Sequence, residues 1–170
     1  MLVALAGAAP LPVPGLPEGW REIAWPFPRD AWPAGRAFRC ESASCSLGLE
    51  VYVRPKIGFC NCTTGVRDDA EVDAVSDLDM ISAEFAPEQD GEPIRVAGLA
   101  GRVRAYRITM SDGAVRSGAG YAISSACDLI AVASLSRSTG SAPSQQAELA
   151  LLGSATVQRW LTARLGGAVP

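Results

Sequence analysis

A chain of 170 residues with 48% hydrophobic and 19% charged side chains can bury one sizeable core and is too apolar to be disordered throughout. Its net charge of −3 mixes both signs, with Lys56 the lone lysine, so it offers no basic footprint for nucleic acid or anionic lipid. The chain has no histidine, which excludes Ser-His-Asp and Cys-His catalysis, histidine ligation of zinc, copper or haem, and histidine acid-base chemistry.

Met1 to Pro10 reads MLVALAGAAP, an apolar run that ends in small residues and lacks a basic start. It has the character of the back half of a secretory signal, with a disordered apolar tail as the alternative. About ten residues are too few to cross a bilayer, so no transmembrane segment is expected. From Pro10 to Pro33 prolines recur at 10, 12, 14, 17, 26, 28 and 33, which predicts an extended arm with little internal pairing. Trp20, Trp25, Phe27 and Trp32 are interleaved with them. Either these rings pack on their own domain, or they form an aromatic docking surface for another protein. On this reading residues 1–33 are an export-like start and a Pro/Trp-rich arm, and residues 34–170 are a single α/β domain.

Arg36 to Cys40 and Leu47 to Arg54 flank a short Cys40-to-Cys45 link, and Leu47, Leu49, Val51 and Val53 alternate along one face, the pattern of a half-buried β-hairpin. A short helix is predicted from near Asp68, where acids complement the helix dipole, with Val72, Val75 and Leu78 turned to a core. Pro93 to Val96, Gly101 to Met110, Gly118 to Ile123 and Asp128 to Leu135 read as strands, with Ser111-Asp112-Gly113 as a turn. From Ser144 to Leu165 the residues Leu149, Leu152, Val157, Trp160, Leu161 and Leu165 recur at helical spacing, and Gly166-Gly167 closes that helix. The expected fold is α+β: an antiparallel sheet, made of the N-terminal hairpin and the meander, packed against one short and one C-terminal helix.

The segment Ile94-Arg-Val-Ala-Gly-Leu-Ala-Gly-Arg-Val-Arg-Ala-Tyr106, followed by two strands and a closing helix around Leu152 to Leu161, resembles the Mog1/PsbP-like family over roughly residues 94–165. That resemblance implies an accessory or binding role rather than an enzymatic one. The cysteines and the proline-rich arm lie outside it.

The five cysteines are Cys40, Cys45, Cys60, Cys62 and Cys127. Cys40 and Cys45 sit at the hairpin tip, where a structural bridge is expected. In Cys60-Asn61-Cys62 both thiols face one way on an extended chain, and one of them is placed to pair with Cys127, leaving one thiol over. Two further readings stay open: a soft-metal site for Cu(I) built from Cys60, Cys62 and Cys127, and a redox-active Cys-x-Cys pair. The gaps do not match a structural zinc site.

Six acids lie at Asp68, Asp69, Glu71, Asp73, Asp77 and Asp79, without the glycine and terminal glutamate of an EF-hand loop, and read as a solvated helix face. Arg102 and Arg104 fall on one strand face and Arg107 on the other, a poor phosphate site. Asn61-Cys62-Thr63 matches a glycosylation sequon of low specificity. No catalytic residue and no cofactor are assigned. The sequence therefore implies an exported, non-enzymatic accessory or binding module, periplasmic or extracellular, that supports another protein such as a larger envelope complex. The alternative is a thiolate site for soft metal or thiol-disulfide exchange.

Overall fold

The computed structural model describes residues 14–45, 48–138, 140 and 142–165. The segment Met1 to Pro10, Leu47 and the expected closing pair Gly166-Gly167 lie outside them.

Eight strands form one antiparallel sheet: β1 (Trp20–Ile23), β2 (Arg36–Cys40), β3 (Leu49–Lys56), β4 (Glu84–Pro87), β5 (Glu92–Val96), β6 (Leu99–Thr109), β7 (Val115–Ser125) and β8 (Asp128–Ser136). The order across the sheet is β1-β2-β3-β8-β7-β6, and β4 and β5 share the outer edge of β6. The helices are α1 (Asp69–Val75), α2 (Gln145–Leu152) and α3 (Ala155–Arg164). This is the α+β architecture that the hydrophobic patterning predicts. The hairpin of β2 and β3 pairs Cys40 with Leu49 and Arg36 with Val53, and β6, β7 and β8 make the meander.

Alternation along the strands sends side chains to two covered faces. On one face Leu49, Val51 and Val53 join Tyr121, Ile123, Ile130 and Val132 beneath Leu151 and Leu152 of α2 and Val157 and Leu161 of α3. On the other face Ala37, Tyr52, Tyr106, Ile108, Ala133 and Leu135 pack with Leu78 and, half-buried, Trp25 and Phe27. Val72 of α1 closes the far end of that face over Ala122, Leu129 and Ala131. β3 lies deep enough to be buried along its whole length. At Gly120 of β7 a Cβ atom would stand 2.6 Å from the Ser76 hydroxyl, so glycine there lets the chain after α1 settle onto the sheet.

The structure corrects three sequence expectations. First, the residues read as an unpaired arm are part of the body. Trp20 pairs with Cys40 and is 5% exposed, and the amide of Thr156 on α3 donates to Gly15 O at 3.2 Å. The division at residue 33 therefore cuts through the sheet, because a four-residue edge strand fits between Pro17 and Pro26 and escapes a reading based on proline density. Second, the C-terminal helix is two helices. Gly153 ends α2, and Ser154 restarts the chain as an N-cap, its side chain accepting from Val157 N at 3.4 Å. Third, β4 was not expected, since its four residues are largely exposed and carry no apolar alternation.

Candidate functional site

The cysteines resolve first. Cys40 is joined to Cys45 across the hairpin tip, and Cys62 to Cys127 across a separation of 65 residues, leaving Cys60 with the free thiol among the described residues. The two-residue loop Ala126-Cys127 between β7 and β8 brings Cys127 against the loop after β3, where Cys60 N donates to Cys127 O at 3.0 Å. The three-thiolate metal set of Cys60, Cys62 and Cys127 is thus corrected: two of its sulfurs are bonded to each other. Among the described residues no group of three or more cysteines and carboxylates is arranged to hold a metal ion. Asn61 of the sequon folds into its own turn, its Oδ1 accepting from Thr63 N and Thr64 N at 2.9 and 3.0 Å.

The aromatic candidates do not form one exposed surface. Trp20 is core, and the docking role considered for it is corrected by that burial. Trp25 and Phe27 meet each other and Tyr52 edge to face, with centroids 4.8 to 6.3 Å apart, which covers the sheet face opposite α2 and α3. Trp32 packs against Phe59 at 5.1 Å, and the Lys56 ammonium stands over both rings. Phe59 and Ile57 remain 46% and 55% exposed, so among the described residues two of the three exposed large apolar side chains, the third being Val115, lie together on the loop after β3.

The expectation of a solvated acidic face holds for part of the run: Asp68 and Asp79 are exposed and Glu71 pairs with the exposed Arg67, whereas Asp69, Asp73 and Asp77 turn toward the sheet. Asp68 caps α1. Asp69 binds Arg102 at 2.6 Å and Gly91 N at 2.8 Å, and Asp73 binds Arg104 at 2.8 Å and the Tyr106 hydroxyl. The Gly91 amide and the Arg102 guanidinium hold the Asp69 carboxyl below its usual range. Asp77 lies deeper, binding Arg54 at 2.9 Å and Lys56 at 2.5 Å. Its φ of 63° is left-handed, a conformation that aspartate tolerates better than most side chains.

These pairs follow a rule. Of the five buried charged residues among the described ones, Glu50, Arg54, Lys56, Asp77 and Glu148, the first four each contact an oppositely charged group. Glu148 is the exception among the described residues, and sequence reading passed over it. It projects from the first turns of α2 on the same stripe as Leu151 and Leu152, fully buried, and Tyr121 donates its phenolic hydrogen to Oε2. Oε1 has no hydrogen-bond partner. The Ser134 hydroxyl nearby is engaged with the Ala119 backbone, 3.1 Å from its N and 3.4 Å from its O. Burial pushes the Glu148 carboxyl up to about 7, against the lowering influence of the Ser134 and Tyr121 hydroxyls. Burial and the adjacent Glu148 raise Tyr121 well above an ordinary phenol.

Glu148 and Tyr121 form part of the wall of a cavity of about 150 Å³ between α2 and the β6–β7 end of the sheet. Val103, Ala105 and Ala119 supply its apolar side, and the chain between β4 and β5 forms its rim. A buried carboxyl with one oxygen unsatisfied, a phenol to orient it and an apolar wall make a ligand pocket in miniature. The signal was legible in principle: a glutamate three and four residues before Leu151 and Leu152 falls on the buried stripe of a helix, where an acid is costly.

Compared with known proteins, the chain matches no family model and no curated sequence. The Mog1/PsbP-like resemblance therefore rests on the sequence pattern alone, and the site is argued from its own geometry.

Proposed function

We propose that the protein is an exported, non-catalytic binding module whose ligand occupies the cavity walled by Glu148 and Tyr121. One observation carries the reading: a fully buried carboxyl keeps an unpartnered oxygen beside an apolar cavity, in a chain that pairs its other buried charges. Two disulfides support an oxidising compartment. No helix among the described residues is long and apolar enough to cross a membrane. Glu148 and Tyr121 have no histidine to relay protons to, which favours binding over turnover.

The test is a screen of small neutral, cationic and anionic fragments by amide chemical shifts on isotope-labelled protein. Shifts concentrated at Ala119, Tyr121 and Glu148, lost when Ala105→Phe fills the cavity, are the expected result. A screen in which no fragment perturbs those amides overturns the reading.

The exposed Ile57 and Phe59 beside Trp32 favour a second reading, support of another protein through that loop. A photo-crosslinking residue placed at position 57 or 59 in exporting cells should then yield one discrete protein adduct, and the absence of any adduct would exclude it.

A further inference from the structure

We infer that the cavity takes the ammonium head of a small primary alkylamine, with Glu148 Oε1 accepting its hydrogen bond. The inference rests on the binding-module reading above and names the ligand class of that site.

Charge gives the first argument. Every charged residue lining the cavity is an acid: Glu148 in its wall, and Glu88, Asp90 and Glu92 along the rim. No described lysine or arginine lines it; the guanidiniums that touch the rim segment, Arg104 on Gln89 O at 2.9 Å and Arg102 on Gly91 O at 3.0 Å, are also held by Asp73 and Asp69, and Arg107 stands 3.7 Å from Glu88. Field lines from acids gathered at a low-dielectric mouth favour a cation entering and oppose an anion.

Hydrogen-bond capacity gives the second. Tyr121 occupies Oε2 as a donor, so the carboxylate's remaining need is for a donor at Oε1. An ammonium supplies up to three donors and the missing positive charge in one group, and a charge-assisted bond is about twice as strong as a neutral one. Oε1 is sealed from solvent in the unliganded chain, so an ammonium reaches it through a small shift of the Glu148 side chain that leaves Oε2 with Tyr121.

Shape gives the third. A cavity of about 150 Å³ is comparable to one that accommodates benzene, so it fits a ligand of roughly six heavy atoms. Val103, Ala105 and Ala119 provide apolar contacts for an alkyl tail. A bare divalent cation is disfavoured, because it seeks six or more oxygens and the described residues gather no such set.

The probes are n-butylamine, its neutral isostere n-butanol and the anion butyrate, titrated into the oxidised wild-type protein at pH 7.5 by calorimetry and amide chemical shifts. The expected result is saturable n-butylamine binding that perturbs Ala119, Tyr121 and Glu148, with n-butanol roughly tenfold weaker and butyrate weaker still. Glu148→Gln should bring the amine down to the level of the alcohol. The wild-type comparison stands even where that variant does not fold. Equal binding of alcohol and amine in the cavity overturns the ligand class and leaves the pocket reading standing. Amine shifts confined to surface acids away from the cavity overturn the inference as well, and binding of none of the three probes, together with an empty fragment screen, overturns both.

Discussion

Glu148→Gln is the sharpest test of how the buried carboxyl sits in the fold. With its ordinary value at 4.5 in the unfolded chain and about 7 in the native state, Glu148 keeps in the folded protein a proton that the unfolded chain gives up. Stability from this group is full below pH 4.5, falls as the pH rises from 4.5 to 7, and is flat above. The gap corresponds to about 3 kcal/mol, most of it between pH 5 and 8. The window is clean because the chain has no histidine, the one side chain that ordinarily titrates there. Groups shifted the other way act at lower pH. Asp30 is lowered by its hydrogen bond from Arg54. Glu50 is raised by burial but lowered further by hydrogen bonds from Tyr52, Arg39 and Arg137. Both stabilise above their unfolded values and lose that contribution as the pH falls through the more acidic range. Urea unfolding without reductant at pH 5, 6, 7 and 8 should show the wild type losing about 2 to 3 kcal/mol across the series and Glu148→Gln losing almost none. Parallel curves for the two proteins, at any vertical offset, would show that the carboxyl is solvated and titrates normally.

Asp77→Asn removes the acid shared by Arg54 and Lys56 while keeping a side chain that tolerates φ of 63°, and should cost about 3 kcal/mol in urea unfolding at pH 7; a loss under about 1 kcal/mol would mean that water compensates the two cations. Replacing both members of a disulfide by serine should separate the two bridges by loop length. Losing Cys62–Cys127, a separation of 65, should cost about 4 kcal/mol, and losing Cys40–Cys45, a separation of 5, about 2 kcal/mol, read as the order of the two midpoints under oxidising conditions. Ala97→Gly should stabilise the β5–β6 turn by about 0.5 to 1 kcal/mol, since Ala97 sits at a φ of 47°; an unchanged or lower melting temperature counts against strain there.

What the sequence disclosed follows from which signals are local. The hairpin and the long meander strands were legible because alternation along each strand is a two-residue pattern, and the start of α1 because Asp68 is a capping residue followed by acids. The turn after Val96 was legible as a break before Gly101, but its residues Ala97-Gly98 were not, because Asn-Gly or Asp-Gly is the strong hairpin signal and alanine at positive φ is a conformation imposed by the strands it joins. The Asp69–Arg102 and Asp73–Arg104 pairs join residues more than thirty positions apart. Only the docking of α1 on β6 makes them partners, so their acids read as a solvated face. The aromatic segment misled for a related reason. Proline density speaks to backbone donors, whereas Trp20 is held by pairing with β2, and Trp25 and Phe27 by Tyr52, contacts with strands later in the chain.

The contrast between the two sheet faces bears most directly on function. Beneath α1 the protein places cations from β3 and β6 against aspartates from α1 and the segment after it, and the buried atom left without a partner there is a neutral hydroxyl, that of Ser76. A buried pair of this kind contributes little net stability, yet breaking it is expensive, so it fixes where α1 docks. Beneath α2 the same chain carries a carboxyl with no cation and one unsatisfied oxygen, in a position where leucine or methionine would fill space at lower cost. A fold that depended on Glu148 for packing would gain from completing its hydrogen bonds, as it does for Glu50 with Tyr52, Arg39 and Arg137. The incomplete shell lies beside a cavity with an acidic rim, so the missing partner is best sought in a ligand that brings its own positive charge.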